Sequence, residues 1–168
     1  MKKIETERKY IVRKPDVEKM HQYPSYTESR ITQTYLEDPT RTHRVRCREY
    51  IGGEVEYTEN IKERINGMSA IENEREIDLG EYSELIKNIQ NGTAPVHKTR
   101  RTVEYCGLVF EFDFYEPWQS TCIMEVELPS ENTEFDLPPF VEVVREVTGI
   151  KAYSNHSMAY GFPKEECI

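Results

Sequence analysis

Thr42-His43-Arg44-Val45-Arg46-Cys47-Arg48-Glu49-Tyr50, followed by Ile51-Gly52-Gly53-Glu54, decides the fold. Side chains two apart on a strand point the same way, so Arg44, Arg46 and Arg48 share one face while Val45 and Cys47 take the other. The two glycines supply the backbone freedom of a tight hairpin turn, and a second alternating run, Glu54–Arg64, returns from it. The same period of two gives six more strands: Lys3–Arg13, Arg30–Glu37, Ala70–Leu79, Val96–Tyr105, Val109–Tyr115 and Thr121–Leu128. Helical spacing is confined to Asp16–Gln22, Tyr82–Gln90 and Phe140–Val147, the last between Pro138-Pro139 and Gly149. The tail from Ala152 fits neither period. No repeat or linker divides the chain, so residues 1–168 read as one mostly β (α+β) domain of eight antiparallel strands.

Outward from the arginine strand, charge of one sign keeps recurring on one face. Glu5, Glu7 and Lys9 share a face of the first strand, and Lys62 and Arg64 a face of the fourth. Glu72, Glu74, Glu76 and Asp78 follow at period two in the fifth, and Lys98 and Arg100 pair in the sixth. Glu111 and Asp113 oppose Phe110, Phe112 and Phe114, while Glu125 and Glu127 oppose Met124, Val126 and Leu128. A wet outer face explains any single strand. It does not explain blocks of one sign, because like charges two apart repel and call for an external counter-charge. If the sheet closes with its apolar face outward against helices, the charged faces converge in a barrel wide enough for one small ligand. Lysine and arginine rows match phosphate oxygens, and carboxylates with few His or Cys select a hard cation such as Mg2+ or Mn2+.

Composition narrows the function classes. With 22 Lys+Arg against 31 Asp+Glu the net charge is −9, which disfavours duplex DNA and anionic membrane as partners. No apolar run reaches the length of a membrane span, and Met1–Glu7 lacks the apolar core of a signal peptide. Cys47, Cys106, Cys122 and Cys167 are scattered without C-x-x-C spacing, as free thiols of a reducing, cytoplasmic compartment. His21, His43, His97 and His156 fall in loops and strand ends and read as surface residues. No G-x-x-x-x-G-K-[ST] is present, so phosphate is not held by a P-loop.

The motifs Glu5-x-Glu7-x-Lys9, Gln33-x-Tyr35-Leu36, Arg44-Val45-Arg46, Lys62 and Glu72-x-Glu74-x-Glu76 stand in one order along the chain. Lys98-Thr99-Arg100, Glu111-Phe112-Asp113, Glu125-Val126-Glu127-Leu128 and Tyr153-Ser154-Asn155 continue it. In this order they resemble the CYTH family, the triphosphate tunnel metalloenzymes, over residues 3–158. The resemblance implies a closed eight-stranded antiparallel tunnel, with a few helices outside, that hydrolyses a triphosphate with Mg2+ or Mn2+. It implies that Glu5, Glu7, Glu125 and Glu127 hold metal with help from Asp113. Lys9, Arg44, Arg46, Lys62, Lys98 and Arg100 would grip the phosphates. Glu72 and Glu74, or Glu74 and Glu76 in a register shifted by two, would complete a second metal site or orient the attacking water. Lys9 joins Glu72 and Glu74 as a catalytic candidate, Arg48 and Arg64 extend the basic rows, and Tyr153 and Asn155 would close the tunnel mouth. Tripolyphosphate is the first expected substrate, with nucleoside or thiamine triphosphate beside it. A CYTH-type adenylate cyclase and a non-catalytic triphosphate sensor are the alternatives. The expected partner is thus a small anionic triphosphate, with a homodimer compatible and neither nucleic acid nor membrane.

Overall fold

The computed structural model describes residues 2–167 and consists of nine strands and three short helices. The strands are β1 (Lys2–Arg13), β2 (Thr27–Leu36), β3 (Thr42–Tyr50), β4 (Val55–Arg64), β5 (Ser69–Ile77), β6 (Val96–Tyr105), β7 (Leu108–Phe114), β8 (Thr121–Glu127) and β9 (Val143–Glu146). The helices are α1 (Val17–His21), α2 (Leu79–Leu85) and α3 (Asn155–Tyr160). Every strand joins one sheet in the order β5-β4-β3-β2-β6-β7-β8-β1-β9, and β5 also pairs with β1. That last pairing closes eight strands into an antiparallel barrel, as expected from the sequence, and leaves β9 as an addition to β1. No helix among the described residues is long and apolar enough to cross a membrane.

Alternation does what the sequence predicts. On the outside, Tyr10, Val12, Phe110, Phe112, Met124 and Val126 pack with Met20 of α1, under Phe135, Phe140 and Val141 of the irregular segment after β8. Leu36, Val45 and Ile77 form a second outer cluster beneath Tyr82 and Leu85 of α2. Inward positions toward one end are apolar as well: Ile11, Tyr35, Val96, Tyr115 and Ile123 meet Trp118, Tyr153 and Met158 and fill that end of the barrel. Most of the remaining inward positions are charged; Gln33, Thr42 and Thr58 among them are polar.

The helix expected over Phe140–Val147 is absent; Val143–Glu146 is a strand paired with Tyr10–Val12 of β1. Four valines in seven residues are stiff at χ1 and favour extended backbone, and the edge of β1 offers unmade backbone hydrogen bonds. Ser69–Ile77 ends two residues before the predicted strand, because the Asp78 carboxylate caps the next helix at Glu81 N (2.8 Å). That helix therefore starts at Leu79 rather than Tyr82 and gives way to a 3-10 turn at Ile86–Asn88. The tail forms a 3-10 turn at Lys151–Tyr153 and then α3, capped by the Ser154 hydroxyl. All four cysteines are free, with Cys122 buried and Cys47 half-buried.

One edge of β1 changes partner along its length. β8 pairs with Glu7–Arg13 on one side; on the other, β5 takes Lys2–Thr6 and β9 takes Tyr10–Val12. Across the interval Glu7 N donates to Met68 O (3.1 Å) and Lys9 N to Thr148 Oγ1 (2.9 Å). The loops carrying these acceptors touch glycine to glycine: a Cβ on Gly149, which sits at φ +72°, would lie 3.1 Å from Gly67 Cα.

Candidate active site

The bore holds a cavity of about 850 Å3. Twelve of the thirteen residues expected to act there line it: Glu5, Glu7, Lys9, Arg44, Arg46, Lys62, Glu72, Glu74, Lys98, Arg100, Glu125 and Glu127. Asp113 is the exception. Arg48, Arg64 and Glu76 also face the cavity, so the basic rows and the acidic strand run its full length.

Strand order polarises the lining. β5, β1 and β8 are neighbours and carry Glu72, Glu5, Glu7, Glu125 and Glu127; β6, β2 and β3 lie across the barrel and carry Lys98, Arg100, Arg44, Arg46 and Arg48. Carboxylates crowd on the first arc. Burial pushes Glu5 up to about 9, helped by its hydrogen bond to Glu72 and the charge of Glu7. Burial acts upward on Glu72 too, but the bond from Glu5 and the charges of Lys62 and Arg44 hold it low, at about 2. Glu7 is raised by burial and by Glu125. Two lysines stand among these acids: Lys9 Nζ is 3.3 Å from Glu125 and Lys62 Nζ 3.2 Å from Glu72. Among the described residues no three His, Cys, Asp or Glu side chains are already gathered as a metal cage. The crowded, mutually repelling carboxylate oxygens nonetheless have the chemistry that a hard divalent cation selects.

The opposite arc crowds cations. Arg46 is lowered to about 10, first by burial and then by the charges of Arg44, Arg100 and Arg48. Its nearest carboxylate, Glu74, lies 3.4 Å away and also accepts from Asn60 Nδ2 at 3.2 Å. Arg48 Nε donates to the Ser29 hydroxyl at 2.9 Å rather than to a carboxylate. Arg46, depressed by three neighbouring guanidinium groups and met by a single carboxylate at 3.4 Å, calls for an anion.

Lys98 and Arg100 are paired instead. Lys98 Nζ is 2.8 Å from Asp113 Oδ2; Arg100 Nε reaches Asp113 Oδ1 at 2.7 Å and its Nη2 reaches Oδ2 at 2.8 Å. Arg100 Nη1 donates to Glu111 at 2.6 Å. Burial lowers Lys98 to about 8 despite the Asp113 charge. At the filled end, Asn155 Oδ1 accepts from Tyr115 Oη (2.7 Å) and faces Lys98 Nζ (3.5 Å), while Tyr153 is buried beside Trp118. The pair expected at the tunnel mouth thus fastens α3 to the barrel.

His156, expected at the surface, instead lines the cavity, stacked 4.7 Å from Tyr35 and bonded to Gln90 Oε1 at 2.6 Å. Its segment has no strand period, so only the docking of α3 brings it inward. His43 is likewise tucked against Glu59 at 2.7 Å on the outer wall. Lys151, Gly67 and Gly149 also line the cavity from loops that carry no strand period. Asn60, buried and paired across strands with Arg44, bears on the site through its bond to Glu74; an amide among charged positions carries no signal of its own in the sequence.

No family model matches the sequence. The inorganic triphosphatase of Acetivibrio thermocellus is 32% identical over 99 residues, 58% of this chain, and the match spans 62% of that relative's length. The crystal structure of the inorganic triphosphatase NE1496 matches with a TM-score of 0.57 at 29% identity, over 95% of this chain and 96% of that one. The PH1819 protein from Pyrococcus horikoshii OT3 shares the fold, with a TM-score of 0.60 at 22% identity over 76% of this chain and 80% of that one. In fold, in the order of its motifs and in the charged lining of its bore, the chain resembles the triphosphate tunnel metalloenzymes.

Proposed function

We propose that the chain is a metal-dependent triphosphatase that releases orthophosphate from inorganic tripolyphosphate. The observation that carries this reading is the cluster around Arg46, whose buried like charges lower it to about 10 across the bore from a crowded carboxylate arc. A polyphosphate chain would neutralise the basic arc, and the carboxylate arc would hold its divalent cation.

Glu5, Glu7, Glu72, Glu125 and Glu127 are the residues that would hold Mg2+ or Mn2+. When bound, the cation supplies charge neutralisation on phosphate oxygens and a more acidic bound water. Arg44, Arg46 and Lys62 grip the phosphates, with Lys98 and Arg100 as a fixed pair beside them. Water oxygen bonds to the terminal phosphorus, the bridging P–O bond breaks, and orthophosphate and pyrophosphate leave. Glu74, oriented by Asn60 and Arg46, aims the water and takes its proton. Lys9, held protonated by Glu125 and Glu7 despite burial, stabilises charge on the leaving oxygen. Positioning and charge dominate phosphoryl transfer, so this lining needs no covalent nucleophile.

The inorganic chain is preferred over a nucleotide because, among the described residues, the only rings lining the cavity, Tyr35 and His156, are stacked on each other. A base finds no open aromatic face, which also speaks against a cyclase. The four free cysteines suit a reducing compartment, and we place the enzyme in the cytoplasm. The test is a substrate panel with Mg2+ or Mn2+: tripolyphosphate should yield phosphate at least tenfold faster than ATP. Cyclic AMP from ATP, or tight binding of tripolyphosphate without turnover, would replace this reading by the cyclase or the sensor.

A further inference from the structure

We propose that Asp113 is a positioning residue for the anion grip, acting through Lys98 and Arg100, and not a ligand of the divalent cation. The proposal rests on the triphosphatase reading and changes the role that family resemblance implies for Asp113. Three observations carry it. Asp113 is 0% exposed and absent from the cavity wall that the other expected ligands form. Both its oxygens are engaged by charged donors, Oδ1 by Arg100 Nε and Oδ2 by Arg100 Nη2 and Lys98 Nζ, all at 2.7–2.8 Å. Lys98 and Arg100 side chains are themselves 1% and 8% exposed, so a metal drawn to Asp113 would strand two buried cations.

The geometry has a use. Arg100 meets Asp113 fork to fork and is held on its other side by Glu111, so its guanidinium plane is fixed before any ligand arrives. Lys98 is fixed next to it by the shared Oδ2. Two side chains rich in rotamers become rigid donors, and the ordering cost of gripping a phosphate is met by the fold.

Asp113→Asn and Asp113→Glu test this on three readouts: Mn2+ affinity without substrate, affinity for imidotriphosphate, and phosphate-release kinetics. Glu7→Gln is the reference for a lost metal ligand. For Asp113→Asn we expect Mn2+ affinity within twofold of wild type, imidotriphosphate binding at least tenfold weaker, and kcat/KM down about 100-fold, with KM carrying more of the loss than kcat. Asp113→Glu keeps the charge but shifts it by one methylene, and should show the same pattern with a smaller loss. It decides the matter if the asparagine variant does not fold. A tenfold loss of Mn2+ affinity, or imidotriphosphate affinity and kcat/KM both within twofold of wild type, overturns the proposal. A wild-type chain that binds imidotriphosphate but releases no phosphate sinks the triphosphatase reading alone, since the two affinities still judge Asp113. Failure of wild type to bind the analogue sinks both.

Discussion

Arg46 concentrates the chemistry of the bore in one side chain. It is half-buried, Arg44, Arg48 and Arg100 act on it, and its closest carboxylate, Glu74, lies 3.4 Å away and is also bonded to Asn60. Arg46→Ala should raise KM and lower kcat together, by about 100-fold in kcat/KM, because it touches substrate before and during reaction. A shift confined to thermal stability would place it outside the site. Glu7 is the opposite case, a carboxylate that burial and Glu125 keep above its usual range. Glu7→Gln should abolish metal-dependent turnover while the metal-free melting midpoint stays equal or rises, since a repulsion disappears with the charge. Calorimetry beside a phosphate assay checks both halves. At this scale the sequence was most legible: period two assigned Glu5, Glu7, Lys9, Arg44, Arg46 and Lys62 to the interior. It could not tell a charge that meets ligand from one that meets a neighbour. Asp113 has the same parity as Glu111, and only the cross-strand pairing Arg100–Asp113 reveals what it holds.

Elements fail and succeed for local reasons. Phe140–Val147 carries helical spacing, yet β-branched residues beside an unpaired edge of β1 become β9, a tertiary contact that no local pattern contains. The strap after α3 is similar. Glu165 accepts from the backbone N–H groups of Gln119, Ser120 and Thr121 at 2.6–2.9 Å, and Phe162 packs on Tyr115 and Trp118. Burial would raise the Glu165 carboxyl, but these backbone donors lower it from 4.5 to about 2. A depressed acid stabilises the fold above its unfolded value and loses that contribution as pH falls toward the folded one. Glu165→Gln should therefore melt a few degrees below wild type at pH 7, and the gap should close as pH falls from about 4.5 to 2. Gly149 is the other fixed point. Gly149→Ala combines a positive φ with a Cβ at 3.1 Å from Gly67, and should cost at least about 1 kcal/mol, read by chemical denaturation.

For the molecule as a whole, opposed arcs of like charge are a standing cost that a ligand relieves. Tripolyphosphate with Mg2+ at 100 times its Kd should stabilise the chain by about 2.7 kcal/mol, a melting shift of roughly 5–10 °C. Chelating the metal should remove most of that shift, and high salt should shrink it. The closed barrel was legible as a whole because eight alternating runs with one charged face have few other solutions. Its closure, however, joins the first strand to the fifth and the eighth, and β9 then seals what they leave. During synthesis the opening strand must wait, with one flank bare, until residues beyond 120 have left the ribosome. The chain thus cannot complete its ring from a partial copy, and a truncated product carries the charges without the enclosure that gives them meaning.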